Sequence, residues 1–359
     1  MYLISDLTKD HRHPKTTSGA YEWWYFDVFN DQSDMGMVII FYDGLLFSPD
    51  YHIAQQKGDG ALPEDHPGIS ISLYHKNKTL FYALKAYPKH RSFFSDSDCV
   101  VKIGNNSLKV EHSNQLLDYS IHLDERLPNK LHLTGNVHFS AIKNPSSWIN
   151  EDSKDNHHFW NLVHAKTRVT ADLQLGISKD NLQRIGFSGP GYHDHNLGSR
   201  PIDSDFDQWY WGRIHLDGNT LVWYIMYKGN DIQRGVWIIN DIDGKVSPLD
   251  DIRFIKKPRK TVFGLTYHDE LEVSIDGQPY RIKTNYVWDN GPFYLRYNVC
   301  LIDGQGRQVN GSKLGIAEYI KPDRISKKWV RPMIRVRYHH DQINAHWIQK
   351  SLLLSKWTW

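Results

Sequence analysis

Short runs of alternating or aromatic residues, cut apart by Gly, Pro, Asn and Asp, recur along almost the whole chain, and helical periodicity is nearly absent. No other feature constrains the fold as much. A period of two buries one face of a strand, whereas a helix needs apolar residues every third or fourth position. The aromatic run Glu22–Phe29 and the apolar run Met37–Tyr42 read as a hairpin turned through Asn30–Gly36. Ile69–Tyr74, Thr79–Leu84, Val100–Gly104, Asp118–Leu123, Leu131–Phe139 and Arg168–Leu175 continue the series. Leu221–Tyr227, Gly235–Ile239, Leu271–Ile275, Tyr280–Trp288, Phe293–Leu301 and Lys313–Ile320 repeat it. The expectation is an all-β chain built as a sandwich or antiparallel barrel. Two polar stretches, Phe47–Pro67 and Lys143–Asn156, read as loops, the first long enough to be a lid, and residues 1–18 read as a wrapped arm. One short helix is expected near the C-terminus, over about Asp341–Leu354, with Asp341 as N-cap and Ile343, Trp347, Ile348 and Leu352 on one side.

At 359 residues the chain exceeds one small core, so two domains are expected after the arm, 19–200 and 201–359. A formal net charge of +2, with no long block of Lys and Arg, lacks the electrostatic footprint of a nucleic-acid binder. The longest apolar run, Met35–Phe41, is far short of a membrane span, and Met1–Asp6 lacks the basic-then-apolar order of a secretory leader. These features predict a soluble, cytoplasmic protein without stable membrane insertion, any membrane contact being transient. Cys99 and Cys300 make neither a disulfide framework nor metal spacing, so no cofactor or metal is expected. The 13 Trp, 20 Tyr and 14 Phe are more than a core of this size needs, which points to sheet-rich architecture or an aromatic-lined site.

The stretch Gly189-Pro190-Gly191-Tyr192-His193-Asp194-His195-Asn196-Leu197-Gly198 carries the densest chemistry. Strand alternation puts His193 and His195 on one face and Tyr192, Asp194 and Asn196 on the other. The aromatic strand Gln208-Trp209-Tyr210-Trp211-Gly212-Arg213 follows.

Four blocks, Glu22–Asp27, Gly191–Asn196, Trp209–Arg213 and Gly291–Tyr297 with Glu318-Tyr319, together resemble the carotenoid 1,2-hydratase (hydroxyneurosporene synthase) superfamily. They occur in the family's order and span nearly all of the chain after residue 18. The resemblance implies two lipocalin-like β-barrels side by side, with an apolar pocket for a long hydrophobic ligand. Members include isoprenoid hydratases, terpenoid cyclases started by protonation, and enzymes that accelerate Diels–Alder closure of polyenes, so fold transfers better than reaction. The sequence departs from the hydratase pattern in two places. Leu197 stands two residues after His195 where the hydratase has Trp, and Tyr224-Ile225-Met226 stands where the hydratase has a Tyr-x-Asp whose Asp is held to be the proton donor. A thioether cannot protonate an alkene.

The candidate site is then His195, Asp194, Tyr224 and Glu22 as catalytic groups, with Trp24, Trp209, Trp211, Arg213, Leu197 and Met226 lining the substrate. Each has a plainer reading. His193 and His195 could ligate a metal, with His157, His158 or His164 as a third ligand, or the motif could satisfy buried backbone groups. Glu22 and Arg213 could form a buried ion pair that orders a barrel mouth; an unpaired Glu22 among rings would instead be a usable acid. The tryptophans are simply core, or their π faces stabilise a carbocation by about 0.5–2 kcal/mol per ring. The favoured reading is an enzyme that folds and cyclises an isoprenoid or polyene, ahead of a strict hydratase and a non-catalytic carrier, because holding a flexible chain in reactive shape needs no acid.

Overall fold

The computed structural model describes residues 2–32, 34–58, 60–143, 148–150 and 157–358, so most of the expected polar loop Lys143–Asn156 lies outside the described residues. Strand makes up 55% of the molecule, as the period-two pattern predicts. Two compact units form: Met1–Ile202 together with Arg331–Thr358, and Asp203–Val330.

In the first unit, β1 (Tyr21–Phe29), β2 (Met35–Asp43), β3 (Gly68–His75), β4 (Lys78–Ala86), β5 (Leu116–Arg126), β6 (His132–Ile142), β7 (His158–Gly176) and β8 (Leu182–Gly198) make an antiparallel sheet. Their order is β4-β3-β2-β1-β8-β7-β6-β5, extended beyond β5 by Asn106–His112, Val100–Ile103 and Ser92–Phe94. The two ends of this sheet share one apolar core: Ile71 of β3 and Phe81 of β4 join Val101 and Leu108 from the far end, with Phe26, Ile39, Ile121, Val137 and Val169 between. Ends that share a core mean a sheet curled on itself, the lipocalin-like arrangement.

In the second unit, β9 (Gln208–His215), β10 (Asn219–Lys228), β11 (Asp231–Asn240), β12 (Glu270–Ile275), β13 (Gln278–Asn290), β14 (Tyr294–Ile302) and β15 (Gly315–Ile320) pair in the order β11-β10-β9-β15-β14-β13-β12. This sheet also curls around its own core, in which Tyr210, Ile214, Trp223 and Ile225 meet Leu271, Ile282, Leu295 and Val299.

Three features differ from expectation. The stretch Phe47–Pro67 holds an α-helix, Pro49–Lys57, capped by the Ser48 hydroxyl and ended by Gly58 at φ 74°. Residues 331–358 return to the first unit, where Tyr338–His340 adds a parallel strand to the edge of β4. The helix expected over Asp341–Leu354 does not form. Two 3-10 turns, Trp347–Lys350 and Leu354–Trp357, take its place. The Asp341 carboxylate is drawn away from capping by Arg91 at 2.6 Å and Lys85 at 3.1 Å. The short helix of this C-terminal region lies earlier, at Arg331–Arg335.

Candidate functional site

β8 lies between β1 and β7, and its glycines let the backbones close up. A Cβ on Gly189 would sit 1.9 Å from the Phe29 carbonyl oxygen. Register then sets His193 opposite Phe26 and His195 opposite Trp24. The His193 ring stacks on Phe26 at 3.9 Å between centroids, and His195 stacks on Trp24 at 4.6 Å. Both imidazoles therefore face the interior of the first barrel, with the alternation that the sequence predicts.

The N-terminal arm meets them there. The Asp10 carboxylate accepts from the Tyr119 hydroxyl at 3.0 Å and faces His193 Nε2 at 3.1 Å, while the Trp24 indole donates to the Asp10 carbonyl at 2.9 Å. Glu22, on β1, faces His195 Nε2 at 2.7 Å, accepts from the His13 backbone N–H at 3.0 Å, and pairs with the Lys15 ammonium. The second nitrogen of each barrel imidazole faces a backbone carbonyl: His193 Nδ1 that of Tyr25 at 3.0 Å, His195 Nδ1 that of Lys9 at 3.1 Å. Beside Glu22 across the β1–β2 pair lies Asp43, to which Arg12 donates at 2.7 Å.

Burial acts against ionisation of each of these carboxylates, and the neighbours decide the outcome. For Asp10, burial is outweighed by His193, His195 and Tyr119, and the carboxyl is held below its ordinary range. Glu22 is also held well below its ordinary range, its burial overcome by Lys15, His13 and His195. Asp43 goes the other way, because burial and the nearby Glu22 charge together exceed the effect of Arg12. His164, one of three histidines that the sequence left available as a third metal ligand, is pushed down to about 3 by burial and by His193. It is instead the arm and Cys99 that bring donor atoms within 4.8 Å of one another, as Asp10–Cys99–His193 and His13–Glu22–His195. In the second group the Lys15 ammonium already meets the Glu22 charge.

The remaining predicted residues fall elsewhere. Asp194 projects from the opposite face of β8 to His195, accepting from the Trp160 indole at 2.9 Å, the Tyr192 hydroxyl at 2.9 Å and the Asn196 amide at 2.8 Å. His195 and Asp194 therefore do not share one cluster. Leu197, half-buried, lies opposite Glu22 in the register. Arg213 is buried on β9, and Glu22 takes its cation from Lys15, a partner the sequence did not suggest. Asp10, Arg12, His13, Lys15 and Asp43 were all missed. The only trace of the arm residues was a cluster of charged and imidazole side chains in a segment without periodicity.

In the second unit, alternation sends Tyr210, Gly212 and Ile214 into the core and Trp209, Trp211 and Arg213 to the other face of β9. Gly212 leaves space for the Trp223 ring, which a Cβ would approach to 2.3 Å. On that other face Trp209 lies opposite Met226 and Trp211 opposite Tyr224, with Glu318 on the far side of Trp211. Tyr224 contacts the Trp237 ring at 5.3 Å between centroids. Glu318 accepts from the Tyr294 hydroxyl at 2.7 Å and Arg296 Nε at 2.9 Å. All of these side chains are buried. The face is thus an aromatic wall carrying the Met226 thioether, the Arg213 guanidinium and the Glu318 carboxylate paired with Arg296.

Comparison with known proteins bears on both units. The family described as carotenoid hydratase CrtC matches residues 38–345. A hydroxyneurosporene dehydrogenase of Chlorobaculum tepidum is 26% identical over 338 residues, covering 90% of this chain and 88% of that protein. An acyclic carotenoid 1,2-hydratase of Thiocapsa roseopersicina is 22% identical over 323 residues, covering 90% of this chain and 74% of its own length. Among solved structures, CghA with Sch210972 superposes with a TM-score of 0.59 at 12% identity, over 89% of this chain and 98% of that one, a likeness of fold alone.

Proposed function

This chain belongs to the carotenoid hydratase CrtC family, and on that premise we propose that it is an enzyme that takes a long apolar isoprenoid or polyene onto its aromatic wall and promotes cyclisation. The observation that carries the reading is the buried face of β9 and β10, where Trp209, Trp211, Tyr224 and Met226 pair across strands beside Arg213. Such a surface suits a hydrocarbon chain, and Arg213 suits a carbonyl or anionic end. Binding in a folded shape brings reacting carbons together and removes several kcal/mol of barrier without a proton donor.

Hydration makes a heavier demand, because an alkene carbon must be protonated. Glu22 is held ionised by its cations, and the Asp194 carboxylate is occupied by three hydrogen-bond donors. Neither is suited to give up a proton. In the proposed enzyme Glu22 orders the arm around His195, and Asp194 fixes the opposite face of β8. Hydration is the second reading, favoured by the hydratase among the relatives that match 90% of this chain. Its donor would be Asp43, whose carboxyl is raised by burial and by the nearby Glu22 charge.

The two reactions differ by one water in the product. Purified protein incubated with acyclic carotenoids and with linear polyenes is expected to yield a product of unchanged mass and altered chromatographic retention. A product heavier by one water would establish hydration instead, and binding without any new product would leave a carrier.

A further inference from the structure

The C-terminal return of the first unit carries an apolar surface that its barrel does not use. Leu352, Leu353 and Leu354 follow one another through a turn, all exposed, with Leu353 at 68%, and Trp347 just before them is 64% exposed. Turns ordinarily carry polar residues or glycine, and consecutive exposed leucines run against the patterning of a water-facing surface. The segment is nevertheless pinned at its base. The Gln349 amide donates to the carbonyls of Arg335 at 2.6 Å and Tyr338 at 2.7 Å, Asn129 donates to the Ser355 hydroxyl at 3.1 Å, and Arg337 donates to the Thr358 hydroxyl at 2.9 Å. The leucines are held outward on a fixed support and cannot fold back onto the core without breaking it.

Charge distinguishes what could cover them. From Gln342 to Thr358 there is no Asp or Glu, and the cations Lys350 and Lys356 flank the leucines, both exposed. Lys130, also exposed, follows Asn129 in the turn to which Ser355 is tied. Four partly exposed side chains fall short of the roughly 800 Å² per partner that a stable protein interface buries. Apolar and indole side chains ringed by lysines fit the headgroup boundary of an anionic bilayer.

We propose that the turn Lys350–Lys356, with Trp347, is a membrane-docking surface: the leucines and the indole enter the headgroup–acyl boundary while Lys350, Lys356 and Lys130 contact anionic lipid headgroups. Docking of this kind would bring the barrels to a substrate that dissolves in bilayers, a consequence that rests on the proposed function. The docking itself does not.

The test uses the full chain and lipid alone, so its outcome is independent of any reaction. In sedimentation with vesicles, the protein is expected to pellet with phosphatidylcholine–phosphatidylglycerol mixtures, much less with phosphatidylcholine, and to be released by raised salt. Trp347→Ser with Leu353→Ser should weaken apparent vesicle affinity by about tenfold or more with little change in Tm. Lys350→Glu with Lys356→Glu should remove the preference for phosphatidylglycerol, and it keeps the test sound should the first pair misfold. Wild-type protein remaining in the supernatant, or both double variants pelleting like wild type, would overturn the proposal. So would a wild-type dimer in sedimentation velocity that the leucine variant abolishes while vesicle binding is absent, since the occupant would then be a second copy.

Discussion

Glu22 is a fully buried carboxylate whose neighbours are Lys15, His13 and His195, so removing its charge strands the Lys15 ammonium in a nearly dry site. Glu22→Gln is expected to cost about 3–5 kcal/mol of stability by denaturant unfolding, since breaking one side of a buried pair leaves the other uncompensated. The pH dependence follows from the direction of the shifts. Asp10 and Glu22 are lowered in the folded chain, so their contribution is complete above the ordinary carboxylate range and is lost as pH falls through it toward their folded values. Asp43, being raised, opposes this. Tm should therefore fall on acidification from about pH 6 to about pH 3, more steeply in wild type than in Glu22→Gln. Asp194→Asn tests the other face of β8. It keeps the shape but weakens an acceptor of three hydrogen bonds, so in the proposed enzyme it should lower Tm with little change in kcat. A kcat loss larger than any loss of substrate binding would instead make the residue catalytic. Alternation told from sequence that His193 and His195 share a face. It was silent on Asp10 and Lys15, which reach that face from a segment with no strand pattern.

β8 is the element on which the first barrel turns, and glycine position within it makes a sharp prediction. Gly189→Ala would force a Cβ to 1.9 Å from the Phe29 carbonyl oxygen, whereas at Gly186 the nearest atom, the Ala171 carbonyl oxygen, is 3.9 Å away. The first substitution should cost about 1–3 kcal/mol or more and the second should be near neutral, as thermal melts will read directly. The helix Pro49–Lys57 carries local signals within a stretch that otherwise reads as loop: Ser48 before Pro49 and Gly58 after Lys57 are ordinary start and stop residues. The helix expected over Asp341–Leu354 failed for the opposite reason. Its apolar spacing was present, but Asp341 is claimed by Arg91 and Lys85, and Gln349 by the carbonyls of Arg335 and Tyr338.

For the molecule as a whole, ligand linkage separates an empty scaffold from a binding protein. A substrate that occupies the folded state alone raises stability in proportion to the logarithm of its saturation, about 2.7 kcal/mol at a hundredfold excess over Kd. An acyclic carotenoid should thus raise Tm in wild type, and a Trp211→Ala substitution in the aromatic wall should reduce that rise. The blocks that suggested the family lie where the family match runs, apart from Glu22–Asp27, which precedes it. The sequence by itself determined the all-β class, most of the long strands, and which residues of each share a face, because a period of two is a property of neighbouring residues. Only the tertiary structure decided which charges meet. His195 and Glu22 are 173 positions apart, and their contact exists because β8 closes against β1 with the arm laid across both. It also decided that residues 331–358 rejoin the first unit. Strand order and the route of a non-periodic segment are settled by long-range burial and ion pairing, and neither leaves a local repeat to be read.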